Sequence, residues 1–255
     1  MDELRKSLQA SFNKVAFSPA LPVAVGTEYL IQQALGKYLN YQNKSLKNIS
    51  NKDINKAVKH VKDKYKVDVE AGTVSDFNNA QYEPAENLLT SSLNILDPTM
   101  SESLGRHGRV TLGGTFKKPH ILAHELGHAV AKNKGSALER ATHSDWLNNA
   151  LVDKARYLTP VAGALIGAAI GDESKDKSLI GSGIGLLAGA ALGSAPMLAR
   201  EYFANSRGAE ILKDLKQDKI KPPSNLPAYL SYLLPGVALG AMIPAHIATN
   251  GFSRW

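Results

Sequence analysis

The sequence of 255 residues contains no cysteine, which excludes a disulfide framework and thiol chemistry. Any metal site in this chain must therefore be built from histidine and carboxylate side chains. A cleavable signal peptide is also not evident, because Met1–Lys14 is polar and amphipathic. The sequence contains no recognisable motif for binding DNA or RNA.

The charge of the chain is positive, with 30 lysines and arginines against 23 aspartates and glutamates, a net charge of +7. Such a charge suits an anionic membrane surface or a nucleic acid. Because no nucleic-acid motif accompanies it, we expect no nucleic-acid partner. A chain of this length can form one or two domains with a sizeable core.

The most informative motif is His-Glu-Leu-Gly-His, an HExxH sequence. On a helix, His124 and His128 lie one turn apart on the same face and can bind one Zn²⁺ together. Glu125 is placed to take a proton from water. Pro119 suits the first turn of this helix. The alternative is a chance HExxH on a solvated face, but the small and apolar neighbours favour a buried metal helix.

Catalytic zinc usually takes three protein ligands, so the site needs one more. A metzincin pattern would require histidine at position 134, where this chain has Lys134. Glu139, His143 and Asp145 lie near the motif in sequence. The better candidate is farther along the chain.

Glu201 and Asn205 are one helical turn apart and share a face. Glu201 can bind the metal, while Asn205 can accept a hydrogen bond from the far nitrogen of a ligand histidine and so fix its orientation. The alternative for Glu201 is an ordinary surface glutamate paired with Arg200.

These motifs, HExxH followed by a distant ExxA[DN], resemble those of the gluzincin metallopeptidases. The sequence is most similar to their membrane branch, the CAAX-prenyl-protease and stress-induced membrane-peptidase group, and the resemblance covers about His120–Leu212. One departure is Asn205, where that branch usually has aspartate. The resemblance implies a zinc endopeptidase that cleaves a protein or peptide substrate with Glu125 as general base. Candidate oxyanion donors are Arg207, Tyr202 and His246.

Three apolar stretches with regularly spaced glycines follow the HExxH motif, at Tyr157–Gly171, Ser178–Ala199 and Leu226–Ala248. Glycine at every fourth position lets helices approach closely, as in the glycine zippers of membrane helices. The second and third stretches reach the ~20 residues that a membrane-spanning helix needs, and prolines are expected to kink the third. The alternative is a buried helical hairpin in a soluble or assembled protein.

Basic residues flank the first two apolar stretches, whereas the loop between them is slightly acidic. The positive-inside rule therefore predicts that both metal motifs lie on the cytoplasmic side of a membrane.

The expected fold class is mainly α with a small β-sheet (α+β), containing a zincin-like catalytic domain with an inserted glycine-zipper hairpin. The expected segments are an N-terminal helical segment (1–50), a zincin-like part (51–150), the hairpin (151–200), the second motif helix (201–222) and a C-terminal apolar helix (223–255). Predicted helices are Asp2–Val15, Glu28–Tyr41 and Lys52–Lys66, and predicted strands are Val67–Val74, Asn87–Leu96 and Arg109–Gly113.

Gluzincins hold an extended substrate along the edge strand of their sheet. The resemblance therefore makes the strand Val110, Thr111, Leu112 and Gly113 a candidate for pairing with substrate, and a plain structural strand is the alternative.

The sequence thus predicts a membrane-associated zinc endopeptidase. An alternative is a membrane-inserting or structural component of a virion or delivery assembly that retains a gluzincin site, with a homo-oligomer or a larger assembly as its expected state. A further alternative is a soluble regulatory peptidase whose apolar helices form its core.

Overall fold

The computed structural model describes residues 33, 37, 46–74, 80–83, 108–113, 116–144, 150–171, 174–217, 220 and 226–250. They are mostly helical with a small sheet, which agrees with the expected α+β class. The helices are α1 (Asn51–Tyr65), α2 (Pro119–Lys134), α3 (Ala137–Thr142), α4 (Ala150–Ile170), α5 (Lys175–Asp214), α6 (Leu226–Gly240) and α7 (Met242–Asn250). The strands are β1 (Val69–Val74), β2 (Ala80–Glu83) and β3 (Gly108–Gly113).

The chain divides into two compact units. The first contains Met1–Tyr38, Asp145–Leu198 and Asn225–Trp255, and the second contains Leu39–Ser144 and Ala199–Ser224. Helix α5 contributes its first part to one unit and its last part to the other. The predicted helix Asp2–Val15 and strand Asn87–Leu96 lie outside the described residues.

The sheet of the second unit has the strand order β1-β3-β2. Strand β3 is parallel to β1 and antiparallel to β2, with Ala80 opposite Leu112. The expectation that Val110–Gly113 forms an edge strand is therefore wrong. Most of its backbone is paired on both sides, and the Val110 and Leu112 side chains are fully buried. Strand β2 was not predicted, because its four residues are too few for a clear alternating pattern.

Helix α1 confirms the helix predicted at Lys52–Lys66. It begins after Ser50, whose hydroxyl accepts a hydrogen bond from the Asp53 amide at 3.2 Å, as in other N-caps. Its buried face packs against the sheet and α2 to form the core of the second unit. This core contains Ile54, Ala57, Val61, Val67, Val69, Val110, Leu112, Leu122, Leu126, Ala129, Val130 and Ile211.

In the first unit, helices α4 and α5 approach each other through glycines. A β-carbon added at Gly163 would collide with the carbonyl oxygen of Gly185, and one at Gly167 would collide with that of Gly181. Only glycine permits this backbone separation. Large aliphatic side chains on the same two helices are exposed: Leu158, Ile166, Ile170, Ile180, Ile184, Leu187 and Leu192.

The third apolar stretch is not one helix, contrary to expectation. It is divided at Ala241 into α6 and α7. Pro244 lies just after the division and has no N–H to donate to the carbonyl of Gly240, so one helical hydrogen bond is missing there. Within the described part of the chain, α5 is the one helix long and apolar enough to cross a membrane.

Candidate metal centre

Helix α2 carries both histidines of the HExxH motif. It begins at Pro119, where the missing N–H needs no partner, and it ends where the Gly135 amide donates to the carbonyl of Ala131. Most of the helix is buried, including Glu125 and His128. The helix is therefore a central element of the second unit, and its polar residues need specific partners.

Two glycines bring the backbones of α2 and α5 together. A β-carbon on Gly127 would collide with the carbonyl oxygen of Ala204, and one on Gly208 would lie 2.8 Å from the carbonyl oxygen of Ala123. Gly127 lies between the two motif histidines, and Ala204 lies between Glu201 and Asn205. The closest approach of the helices thus falls where the two motifs face each other.

The structure brings His124, His128 and Glu201 together. His124 Nε2 lies 3.2 Å from Glu201 Oε2, and His128 Nε2 lies 3.7 Å from Glu201 Oε1. One candidate ligand atom from each residue falls within 4.8 Å of the others, so the group could hold a metal ion. The His124 side chain is 22% exposed, whereas those of His128 and Glu201 are 5% and 11% exposed. One side of the cluster is therefore accessible.

The far nitrogen of each histidine has its own partner. His124 Nδ1 lies 2.9 Å from Asn205 Oδ1. An amide oxygen can only accept, so His124 donates from Nδ1, and in the neutral ring Nε2 keeps its lone pair. His128 Nδ1 lies 3.0 Å from Nε2 of the buried His143. Both rings thus turn their Nε2 atoms toward Glu201.

This donor set fits a metal cation. In neutral His124 the proton is on Nδ1, so a nitrogen lone pair faces the Glu201 carboxylate, and either a second proton or a metal cation between the two groups removes the repulsion. Two histidines and one glutamate are a known ligand set for catalytic zinc, with one further position left for water. The residues present could therefore hold a metal ion.

The electrostatics of His124 agree with this fit. Burial lowers its pKa, but the hydrogen bond to Glu201 and the negative charges of Glu125 and Glu201 outweigh burial, and the net shift is upward. A field that holds a proton on His124 also attracts a metal cation, and the two compete for the same nitrogen. Burial moves the pKa of His128 the other way, well below its usual range.

The three candidate oxyanion donors lie in different surroundings. The Arg207 guanidinium binds Glu139 through two nitrogens, at 2.7 and 2.9 Å, and Glu210 through the third. It is thus engaged in ion pairs, and its suggested role as an oxyanion donor stays a prediction. Tyr202 is 60% exposed and stacks edge-on against Phe203.

His246 lies half-buried on α7, in the first unit. Its suggested role as an oxyanion donor stays a prediction.

His143 and Glu139 have contacts near the cluster that their positions in the sequence do not indicate. His143 contacts the candidate ligand His128, and Glu139 forms the ion pair with Arg207. One local signal was available: Ser136 and Glu139 have the spacing of a capping box, which starts the short helix α3. The long-range pairing of Glu139 with a residue 68 positions later has no such signal.

Comparison of the chain with protein-family models, curated proteins and solved structures gives no match.

Proposed function

We propose that this protein is a membrane-associated zinc endopeptidase of the gluzincin type. The observation that carries the proposal is the convergence of His124, His128 and Glu201 beside Glu125. HExxH followed by a distant glutamate on a second helix is the ligand arrangement expected of that class. The partial exposure of His124 leaves a route for a peptide to reach the cluster.

In the proposed hydrolysis, the metal ligands and Glu125 have different roles. When bound, zinc supplies the Lewis acidity that makes water nucleophilic near neutral pH and polarises a carbonyl group. Glu125 accepts a proton from the water that attacks the scissile carbonyl carbon. As the C–N bond breaks, Glu125 passes that proton to the leaving nitrogen. Burial of Glu125 keeps the carboxylate away from bulk water during this transfer.

The membrane part of the proposal is supported by α5 and the exposed aliphatic residues. The most apolar 18-residue window of α5 is only 39% buried, unlike the core helix of a soluble protein. Exposed leucine and isoleucine side chains on α4 and α5 would contact lipid favourably. The basic residues around the apolar stretches favour a cytoplasmic location for the metal motifs.

The hydrolytic proposal is tested with Glu125→Gln. We expect this variant to bind zinc like the wild type and to lose cleavage of a fluorescence-quenched peptide library, because an amide cannot take the proton. The exposed Glu70 offers a matched control, and Glu70→Gln should cleave normally. Equal cleavage by wild type and Glu125→Gln would contradict the mechanism.

The membrane proposal has a separate test. After expression, the protein should sediment with membranes and need detergent for extraction, whereas recovery in buffer alone would contradict membrane association. The exposed aliphatic faces also favour a second candidate, a membrane-inserting component of an assembly. That candidate predicts that Glu125→Gln makes liposomes leak even though it hydrolyses nothing.

A further inference from the structure

His143 lies directly behind the ligand His128 and is 2% exposed. It follows helix α3 immediately, and its ring packs edge-on against that of His128 with centroids 5.2 Å apart. Its Nε2 faces His128 Nδ1 at 3.0 Å, so it faces the side of His128 that does not point to Glu201. His143 is thus a neighbour of the cluster and not one of its three candidate ligands.

The contacts of His143 fix the direction of its hydrogen bonds. His143 Nδ1 lies 2.8 Å from the backbone carbonyl oxygen of Glu139, which can only accept. His143 therefore carries its proton on Nδ1, and in the neutral ring Nε2 is an acceptor. His128 must then donate from Nδ1, which leaves the lone pair of its Nε2 free for a metal. The opposite tautomer of His128 would place a hydrogen where the metal binds.

The carbonyl that orients His143 is itself held in place. The Glu139 carboxylate accepts hydrogen bonds from the Ser136 amide at 2.6 Å and from Arg207 Nε at 2.7 Å. Arg207 lies on α5, two turns after Glu201. The segment of α5 that supplies the third ligand therefore also fixes the short helix that positions His143.

We propose that His143 is a positioning residue that holds His128 in its metal-binding tautomer, and that the Glu139–Arg207 ion pair keeps His143 in place. The inference depends on the metal centre proposed above. His143 neither touches substrate nor supplies a ligand. It acts by orienting His128, in the same way that Asn205 orients His124.

The first test measures zinc affinity by competition with a chromophoric chelator. His143→Leu removes the acceptor, and we expect affinity to fall about 10- to 100-fold, the usual effect of losing a group that orients a ligand. His143→Gln should recover much of this loss, because the glutamine oxygen can accept from His128 Nδ1. A matched control is His120→Leu, since His120 is a buried histidine on α2 without a hydrogen-bond partner among the described residues.

The absorption spectrum of the Co²⁺-substituted protein reports on the geometry of the metal site, and a loss of packing elsewhere does not change it. We expect the d–d absorption bands of His143→Leu to shift relative to wild type, and those of His120→Leu to stay. Zinc affinity in His143→Leu equal to that of wild type would overturn the proposal. An equal loss of affinity in all three variants would also overturn it, by indicating a packing effect.

A measurement on the wild type avoids any variant that fails to fold. Nitrogen-15 NMR of the zinc-loaded protein should find a proton on Nδ1 of both His128 and His143. A proton on His143 Nε2 would overturn the inference while leaving the metal centre intact. If the wild type binds no zinc, the proposed function is contradicted as well. A zinc-loaded protein with the wrong tautomer contradicts only the role of His143, so the two failures are distinguishable.

Discussion

The two halves of helix α5 approach their neighbours in the same way but surround the contact with different side chains. In Lys175–Leu198, glycines meet the glycines of α4, and the flanking residues are mainly alanine, leucine and isoleucine. In Ala199–Asp214, Gly208 meets α2, and the flanking residues include Glu201, Asn205 and Arg207.

The comparison shows that close helix packing and a candidate metal site are indicated by different residues. Glycine at a helix contact brings two backbones together in both halves, at a cost in helix propensity of about 1 kcal/mol per residue relative to alanine. In the first half the contact joins mainly apolar surfaces, with a hydrogen bond from the Thr159 hydroxyl to the carbonyl of Gly189. In the second half it brings a carboxylate within reach of two imidazoles. The glycine spacing alone therefore indicates packing, and the polar residues beside it indicate function.

Gly127→Ala should have the largest effect. The added β-carbon would collide with the carbonyl oxygen of Ala204, which is backbone and cannot rotate away. Separation of α2 from α5 should lower the free energy of unfolding by about 2 kcal/mol or more and abolish zinc binding. Chemical denaturation and zinc content measure the two effects.

The matched control for this change is Gly183→Ala. Gly183 lies on α5, and an added β-carbon would meet no atom within 4 Å. We expect zinc binding to be unchanged and stability to rise by up to about 1 kcal/mol, because alanine favours the helix. If Gly127→Ala behaved like this control, the close approach of α2 and α5 would be wrong.

Gly185→Ala tests the other half of α5. Its β-carbon would collide with the carbonyl oxygen of Gly163. The variant should unfold at a lower temperature in detergent but still bind about one zinc per folded chain, because the three candidate ligands all belong to the second unit. Loss of zinc together with loss of stability would contradict the claim that packing in the first half of α5 does not affect metal binding in the second half.

A smaller effect is expected from the ion pair that holds α3. Arg207, with help from Ser136, lowers the pKa of Glu139 from 4.5 to about 2. A carboxyl group with a lowered pKa stabilises the fold fully above its unfolded pKa and loses that contribution as the pH falls from about 4.5 to 2. Because Arg207 is partly exposed, we expect a contribution of about 1–2 kcal/mol at pH 7.

The measurement compares wild type with Glu139→Gln in the metal-free state, so that loss of metal in acid does not interfere. The difference in unfolding free energy should be largest near neutral pH and vanish near pH 2. A difference that stays constant across this range would show that the charge of Glu139 is not the source.

Local signals in the sequence predicted the helices of the cluster well. Pro119 and the apolar residues after it indicate α2, and the four-residue spacings place each motif on one helix face. The third candidate ligand, Glu201, could be suggested because its motif has a recognisable spacing from Asn205. Each of these predictions depends on residues that are close in sequence, within one or two helical turns.

Features that depend on distant contacts could not be predicted in the same way. Nothing local indicates that β3 is the central strand, because β2, its second partner, is only four residues long. The ion pair of Arg207 with Glu139 is also long-range, and no local pattern in the sequence indicates it. The orientation of His143 depends on that pair, so its role became visible only in three dimensions.

The most direct test of the account is the amount of zinc per chain, measured by elemental analysis of purified protein. We predict about one zinc in the wild type and in Glu210→Ala, whose glutamate is exposed on the same helix, and a large loss in Glu201→Ala. No zinc in the folded wild type, or full retention by Glu201→Ala, would contradict the three-residue metal centre.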